Sequence, residues 1–419
     1  MGSKTVDHLD GGEETTMATR SARRAGTRRR IHGLIGAWAT TAVVVSAAMT
    51  GTAAASTTVA CGGPGGGSAG LIAAIAHANN TAGGDTIDLA RGCTYALGTE
   101  DNAGNGLPVI TGTVVVHGHD ATIKRSSDST FRILEVASGA DLTLDRVTVS
   151  GGALSLSGPT AFGGGILNSG RLTVTDSKIS DNSVSGTGSS AGGGGIANNG
   201  VVRLKNTVLR DNTASATGTQ MIFAAVGGAV LNRTGAIMTI DDSVIEANSA
   251  LAAGSSPLFF IASGGGIGNT GTLAVNSSQI KGNRAIANGA HGQAGGGGIS
   301  IADGTVTMAN TTVAANTAAA NGAGASARGG GVENNGHTKL TGTVVKNNRV
   351  SGPTAQGGGL SNGRRLLLVR SDVVANVAIT TSGPGQGGGI FTDAGRVVLT
   401  DTEVAANQPD NCQPFIPGC

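Results

Sequence analysis

Two aspartates have the residue type and the spacing that acid/base chemistry requires. Asp176 and Asp242 occupy equivalent places in two segments of a repeating pattern, and Asn206 holds that place in the segment between them. If the segments stack as strands do, the two carboxylates lie roughly 9 to 10 Å apart. This is near the upper limit for a carboxylate pair that hydrolyses a glycosidic bond with inversion. Stacked polar side chains at a corner of the fold are the simpler interpretation.

Alternating charges recur at a second place in the pattern. Arg210, Glu246 and Lys281 each precede a repeated asparagine by two residues. Arg210 joins the two aspartates as a candidate catalytic residue. Stacked opposite charges also form solvated ion pairs, however, each contributing up to about 1 kcal/mol. We favour this ion-pair ladder as the interpretation.

Two long insertions in consecutive repeats are the most apolar loops of the chain. The first carries Met221 and Phe223, and the second carries Leu258, Phe259 and Phe260. If the repeats stack, these side chains lie side by side and could bind a partner or a sugar ring. The alternative is that the rings pack on one another and are buried.

Motifs for cofactors and metals are missing from the sequence. None of the glycine runs continues into Gly-Lys-Ser/Thr, which excludes a phosphate-binding loop, and neither an acidic calcium cage nor cysteines and histidines at ligand spacing occur. The segment from His117 to Asp120 is interpreted as a turn. With 13% charged and 2% aromatic residues, the chain offers no basic or stacking surface for nucleic acid. We therefore expect no cofactor, no metal and no nucleic-acid partner.

A glycine-rich phrase organises most of the chain, which contains 73 glycines. It occurs eight times, 28 to 37 residues apart, as GGGILN, GGGIAN, GGAVLN, GGGIGN, GGGISI, GGGVEN, GGGLSN and GGGIFT. Each phrase is followed by an asparagine 16 to 18 residues after its first branched apolar residue, namely Asn182, Asn212, Asn248, Asn283, Asn316, Asn348, Asn376 and Asn407. Length varies almost entirely between this asparagine and the next phrase, as in a solenoid with loops at one point of each coil.

The residues between phrase and asparagine alternate between apolar and polar, and this period of two predicts strands. Stacking in register places like residues over like, so the asparagines are expected to form a hydrogen-bonded ladder. The sequence thus predicts an all-β fold, a single parallel β-helix of about eleven coils. Leu71, Ile72, Ile75 and Ala78 form one face of a short helix, predicted over 70–80, that caps the first coil.

The glycine phrase with its trailing asparagine resembles the repeats of right-handed parallel β-helix proteins, the pectate-lyase-like fold. It is especially similar to the repeats of polymorphic outer-membrane-type surface proteins. The resemblance covers roughly residues 86–411. It implies the fold but leaves the activity open, because such proteins include polysaccharide lyases, hydrolases, adhesins and surface proteins. It also implies that the charged ladder could belong to a uronate-binding groove.

The N-terminal segment is typical of an export signal. Six arginines between positions 20 and 30 precede an apolar stretch, and a small-residue cleavage site ends at Ala55. A membrane anchor is the alternative, Met17 is an alternative start, and the export route is left open between the general and the twin-arginine systems. Removal of this segment leaves 21 basic and 22 acidic residues, with no membrane span.

Four cysteines are expected to form two disulfides in an exported chain. Their clustering favours Cys61 with Cys93 and Cys412 with Cys419. The predicted organisation is a signal peptide (1–55), an N-terminal cap with the short helix (56–85), irregular coils (86–162), eight regular repeats (163–411) and a disulfide loop (412–419).

Scarce titratable residues on the repeated strands favour a non-enzymatic role. We expect a secreted or non-covalently surface-associated protein of adhesin-like or envelope-structural function. Its partner would be a cell-envelope or environmental polysaccharide, or a surface protein. The alternative is a polysaccharide lyase or glycoside hydrolase that acts on a polyuronide or similar glycan along one flank.

Overall fold

Alternating side chains build every coil in the same way. In the strand Arg171–Thr175, Leu172 and Val174 point into the solenoid while the residues between them face outwards. The computed structural model describes residues 56–219, 222–255 and 259–419. These residues form the right-handed parallel β-solenoid of about eleven coils that the sequence predicts, with one helix, Gly67–Ala78. The expected signal peptide lies outside the described residues, as do Met221 and Leu258.

Four sheets run along the solenoid within the described residues. Sheet 1 is the longest and contributes two strands to each regular coil. Its strands are Ser56–Val59, Asp85–Leu89, Thr94–Leu97, Thr113–Arg125, Asp141–Ser150, Arg171–Thr175, Lys178–Ser180, Val201–Lys205, Val208–Arg210, Ile237–Asp241, Val244–Glu246, Thr272–Asn276, Gln279–Lys281, Thr305–Ala309, Thr312–Ala314, His337–Thr341, Val344–Lys346, Arg365–Val369, Asp372–Val374, Arg396–Thr400 and Glu403–Ala405.

Each coil continues from sheet 1 into sheet 2 and then sheet 3. Sheet 2 comprises Ala153–Ser157, Ser183–Thr187, Thr213–Gly218, Ser249–Gly254, Arg284–Asn288, Thr317–Asn321, Arg349–Gly352, Val377–Thr380 and Gly383–Pro384. Sheet 3 comprises Ala161–Phe162, Ala191–Gly192, Phe223–Val226, Phe260–Ser263, Gly292–Gly295, Ser326–Arg328 and Thr354–Gln356.

The glycine runs turn the chain from sheet 3 into sheet 4, whose strands lead back to sheet 1. Sheet 4 comprises Leu134–Val136, Ile166–Asn168, Ile196–Asn198, Val230–Asn232, Ile267–Asn269, Ile299–Ile301, Val332–Asn334, Leu360–Asn362, Ile390–Thr392 and Cys412–Gln413. Neighbouring strands pair in register, so equivalent residues of successive coils stack in columns along the axis.

The predicted asparagine ladder lies at the corner between sheets 1 and 2. From Asn182 to Asn376, each side chain donates from Nδ2 to Oδ1 of the next asparagine at 2.9 to 3.0 Å. The same Oδ1 also accepts the main-chain N–H of the preceding asparagine, as in the bond from Asn283 N to Asn316 Oδ1 at 3.0 Å. The ladder therefore satisfies buried polar groups at every turn of the chain.

The interior has two parts of different side-chain size. Branched apolar side chains fill the space between sheets 1 and 4, whereas alanines fill most of the space enclosed by sheets 2 and 3. Phe223 and Phe260 point into the alanine-lined part, where their ring centroids lie 4.9 Å apart. The proposal that these two rings bind a partner is therefore wrong, because both are buried. Phe259 points outwards and is 45% exposed.

Both ends of the solenoid are closed. The helix Gly67–Ala78 begins three residues earlier than the sequence predicts and packs Leu71, Ala74 and Ile75 on the first coil. The disulfides Cys61–Cys93 and Cys412–Cys419 form as predicted, and such bonds are typical of oxidising compartments. Among the described residues, none of the helical sequence has the length and apolar character that crossing a bilayer requires.

Candidate active site

Glycines make the corner between sheets 3 and 4 tight. Gly296 has φ +57°, in the left-handed region that favours glycine. A Cβ on Gly298 would lie 2.8 Å from the carbonyl oxygen of Gly331 in the next coil. Beside this corner, side chains from the outer faces of both sheets converge and line a cleft of about 350 Å³.

Glu333 supplies the carboxyl group of this cleft. It lies half-buried on the outer face of sheet 4, and its carboxylate covers Gly295, while Ser300 Oγ donates to Oε2 at 3.0 Å. Burial raises the pKa of Glu333 above its ordinary value, and hydrogen bonds from Ser300 and Asn335 and the charge of Arg328 offset only part of this effect. A carboxyl group with a raised pKa keeps its proton to higher pH, as a general acid requires.

A second carboxylate, Asp393, lies outside the cleft lining and contacts the arginine of the cleft. Arg328 Nη1 lies 3.0 Å from Asp393 Oδ2. The charge of Arg328 lowers the pKa of Glu333, and that of Asp393 raises it, so both charges act on the Glu333 carboxyl. Asp393 belongs to a coil two turns beyond that of Glu333, an offset of about 10 Å along the axis.

Hydroxyl and amide groups line the rest of the cleft. Ser263, Gln293, Ser326 and Asn335 surround Glu333, and Ile261 adds an apolar side chain. Such a set can both donate to and accept from the hydroxyls of a sugar while an apolar side chain packs against its ring. The cleft is therefore suited to a polyhydroxylated ligand.

The same corner is closed by apolar side chains towards the N terminus. A Cβ on Gly192 would lie 2.5 Å from Cδ2 of Leu231, so this side chain covers Gly192 and is itself 8% exposed. Arg233 lies over the ring of Phe162, with Cζ 4.4 Å from the ring centroid. The polar cleft is lined by three later coils, those that contribute Ile261, Gln293 and Glu333.

Comparisons with known proteins add a likeness of fold. No family model matches the chain, and no curated protein matches it. One solved structure that it resembles is the pectate lyase Pel9A, with 12% identity, a TM-score of 0.40, and coverage of 85% of this chain and 80% of that one. Another is the A-module of the Azotobacter vinelandii mannuronan C-5 epimerase AlgE4, with 14% identity, a TM-score of 0.27, and coverage of 81% and 94% respectively.

The aspartates suggested by the sequence lie on another face. Asp176 and Asp242 occupy one column at the bend between the two strands of sheet 1, with φ +50° and +49°. Asn206 lies between them and donates from Nδ2 to Oδ1 of Asp176. The three residues form one column as predicted, and their side chains are those of a left-handed bend, where Asp and Asn are favoured.

Arg210 also lies on sheet 1, away from the cleft. Its Nε contacts Asp211 Oδ2 at 2.8 Å, and this hydrogen bond and charge raise the pKa of Arg210 above its ordinary value. Arg210 stacks in register with Glu246, which pairs with Lys281 at 3.3 Å. These contacts are those of a solvated ion-pair ladder.

Histidines and carboxylates gather on sheet 1 in the N-terminal coils. His117 and His119 lie in the strand Thr113–Arg125, at an irregularity in its pairing, rather than in a plain turn. His119 Nε2 lies 3.4 Å from Asp88 Oδ1, and Arg146 Nη2 lies 3.3 Å from His119 Nδ1. Because a guanidinium only donates, His119 accepts at Nδ1 and donates from Nε2. Both ring nitrogens are thus engaged, as in a structural network.

The described coils contain no group of side chains that could hold a metal ion. His117 Nδ1 contacts Asp145 Oδ2 at 3.3 Å, but nowhere in 56–219, 222–255 and 259–419 do three histidine, cysteine or carboxylate groups converge as ligands. The N-terminal cluster therefore does not supply three metal ligands.

Sequence reasoning missed Glu333, although a signal was present. Among the eight glycine phrases, GGGVEN is the one with a charged residue between the branched apolar residue and the terminal position. In the corresponding column the regular coils otherwise carry Leu167, Ala197, Leu231, Gly268, Ser300, Ser361 and Phe391. A charged residue that occurs at a repeat position in one coil only, as Glu333 does, is a better indicator of function than charged residues that recur from coil to coil.

Proposed function

We propose that the chain is a glycoside hydrolase that cleaves a polysaccharide bound in the cleft, with Glu333 as the general acid. The observation that carries this proposal is the half-buried carboxyl of Glu333, whose pKa is raised by burial, among hydroxyl and amide side chains. Cleavage of a glycosidic bond needs a carboxylic acid that protonates the leaving oxygen and a second carboxylate. Glu333 meets the first requirement.

Asp393 is the candidate for the second carboxylate. Its carboxyl contacts Arg328 Nη1 at 3.0 Å, and as a carboxylate it would accept a proton from an attacking water. In the balanced reaction Glu333 transfers its proton to the glycosidic oxygen while Asp393 takes one from the water that adds to the anomeric carbon. With one carboxyl as acid and the other as base for the attacking water, this reaction predicts inversion at the anomeric carbon.

Hydrolysis is supported better than elimination. A lyase that removes the proton next to a uronate carboxylate needs a cation free to neutralise that carboxylate. Arg328 is the basic residue of the cleft, and its guanidinium already contacts Asp393. The placement of Arg328 therefore favours glycoside hydrolysis over polysaccharide elimination.

A binding role without cleavage is the second candidate. Ile222 and Phe259, on loops of adjacent coils, are 58% and 45% exposed. Exposed apolar side chains at neighbouring loop tips are an observation that favours contact with a partner. In this case the protein would be the secreted or surface-associated binding rod expected from sequence.

The test is hydrolysis by the Glu333→Gln and Asp393→Asn variants. Purified chain is incubated with a panel of plant and bacterial polysaccharides, and new reducing ends are counted. We expect a loss of at least about 100-fold for either variant, with Glu403→Gln on sheet 1 as the matched control that keeps full activity. Hydrolysis by Glu333→Gln at the parental rate would refute the proposal. Retention of a glycan without cleavage by the parent would support the binding rod instead.

Stability separates the catalytic interpretation from a structural one. Because the pKa of Glu333 is raised in the folded protein, its ionisation costs folding free energy once the pH exceeds the unfolded-state pKa. Glutamine has no such cost, so Glu333→Gln should unfold at a higher temperature than the parent at pH 7 while losing activity. A structural carboxylate would show the opposite change in stability.

A further inference from the structure

Four basic side chains form a strip at the C-terminal end of sheet 1. His337, Arg365 and Arg396 stack in register on three successive coils, and Lys339 lies two residues after His337 on the same outer face. All four are exposed. We call this set the basic strip. Neighbouring strands are about 4.8 Å apart, so like charges face each other along it.

None of the basic strip's side chains takes part in an ion pair or a side-chain hydrogen bond within the described residues. The same column differs at the other end of the solenoid, where Arg171 pairs with Asp141 at 3.5 Å. Like charges stacked without counter-charges destabilise a sheet. The strip therefore costs folding free energy locally, and a bound anion would reduce this cost.

Nearby acidic side chains do not compensate the strip. Asp303 contacts Arg364 at 3.1 Å, which removes it as a partner for Arg365. Asp372 and Glu403 lie on the following strands of sheet 1, beyond the bend. None of these three carboxylates forms an ion pair with a side chain of the basic strip within the described residues.

The surface beside the strip is shaped for a ring. Thr305, Thr307 and Leu367 line a shallow cleft of about 250 Å³ together with His337 and Lys339. Hydroxyls and a half-buried leucine offer a neutral floor on which a pyranose can lie while its carboxylate meets the guanidinium groups. A polymer of phosphodiester-linked polyols carries negative charges but has no ring that could pack on Leu367, so it fits this cleft less well than a carboxylated polysaccharide.

We propose that the basic strip binds a linear carboxylated polysaccharide at a site separate from the Glu333 cleft. The polymer runs along the solenoid axis, so that successive carboxylates meet Arg365 and Arg396. Residues 335 and 336 connect the sheet 4 strand that carries Glu333 to the sheet 1 strand that carries His337 and Lys339, so the two sites lie on different sheets. The strip holds the chain on its polymer and takes no part in bond cleavage.

The test measures binding of polygalacturonate to the full chain at low ionic strength, by titration calorimetry or affinity electrophoresis. The double variant Arg365→Gln/Arg396→Gln should bind about tenfold more weakly, which corresponds to about 1.4 kcal/mol. The matched control is Arg171→Gln, the same residue type in the same column, which should bind like the parent. Added salt should reduce the difference in polygalacturonate affinity between the parent and the double variant, because the charged contacts are exposed to solvent.

Three outcomes would overturn the proposal. They are unchanged polygalacturonate affinity in the double variant, an equal loss in Arg171→Gln, or tighter binding of polyphosphate than of polygalacturonate. Circular dichroism shows whether the double variant is folded, and Lys339→Gln, a milder change, should reduce affinity in the same direction.

The strip and the proposed hydrolase can fail separately. Glu333→Gln should bind polygalacturonate with the parental affinity, since it does not alter the strip. The double variant should hydrolyse a short neutral oligosaccharide substrate at the parental rate. Loss of binding in Glu333→Gln would place the polymer in the cleft and overturn the strip.

Discussion

Replacing Gly295 by alanine displaces the Glu333 carboxyl without removing it. A Cβ on Gly295 would lie 2.6 Å from Cδ and 3.0 Å from Oε1 of Glu333. Ordinary contacts of a Cβ begin at 3.4 Å, so the carboxyl must withdraw by about 1 Å. The φ of Gly295 lies outside the left-handed region, and the backbone can therefore accept alanine. The change acts on the position of one functional group.

A displacement of this size is costly for a general acid. Misplacing a catalytic group by about 1 Å can reduce the rate by about 100-fold, equivalent to about 2.7 kcal/mol in the activation barrier. Stability should change by less than about 1 kcal/mol, because the carboxyl is the free end of a flexible side chain. Gly295→Ala should therefore lose kcat/KM on the polysaccharide that the parent hydrolyses while its Tm stays close to parental.

Gly192→Ala is the matched control for this prediction. Gly192 occupies the same column three coils away, where a Cβ would meet Leu231 Cδ2 at 2.5 Å rather than a carboxyl group. It should retain activity even if its stability falls. Parental kcat/KM in Gly295→Ala, or an equal loss in both variants, would show that the position of Glu333 does not govern the reaction.

Two further predictions concern the frame that holds the cleft. Asn316→Ala removes four buried hydrogen bonds and should lower the free energy of unfolding in urea by about 4 kcal/mol. The control Asn321→Ala removes an exposed hydrogen bond between coils and should lower it by less than about 0.5 kcal/mol. Equal losses of stability in the two variants would contradict a stabilising role for the ladder. The pKa of Asp88 is lowered chiefly by the hydrogen bond from Ser56. This stabilisation is present above the unfolded-state pKa and is lost as pH falls through the folded pKa, so Ser56→Ala should lower stability by roughly 0.5 kcal/mol at pH 7 and leave it unchanged at pH 2.

The fold could be predicted because its information is local and repeated. Each asparagine from Asn182 to Asn407 lies 16 to 18 residues after the branched apolar residue of a glycine phrase, and period-two alternation in each segment indicates a strand. Stacking then follows, because only in-register coils pair every asparagine with another. The terminal disulfides followed from the cysteine positions in the same way.

A second ladder was missed for a physical reason. Asn168, Asn198, Asn232 and Asn269 hydrogen-bond from coil to coil at 2.7 to 2.9 Å at the corner between sheets 4 and 1. These asparagines end the glycine phrases, and the glycines alone suffice to explain each phrase as a turn, so the sequence does not single the asparagines out. Ile301 replaces asparagine in one coil, and the ladder resumes at Asn334 with a bond of 2.7 Å to Asn362.

Asp176, Asp242 and Arg210 stay predictions, whereas the Glu333 cleft could not be predicted because it depends on contacts between coils. Sequence spacing placed Asp176 and Asp242 in one column, but it could not show that the bend between the two strands of sheet 1 itself favours them. Glu333 acquires its properties from Gly295 and Ser300, which precede it by more than thirty residues. Burial and a raised pKa are properties of that arrangement and have no signature in spacing alone.

The phenylalanines enclosed by alanines imply a constraint on how this chain can change. A Cβ on Gly218 would lie 2.6 Å from Cε1 of Phe223, and one on Gly254 would lie 2.5 Å from Cζ of Phe260. Each ring therefore occupies volume that a glycine of the same coil leaves empty. If the glycine is replaced before the phenylalanine, the new side chain overpacks the coil. If the phenylalanine is replaced first, a cavity is left. Ring and glycine should consequently be inherited as a pair, and homologous sequences should exchange both positions together or neither.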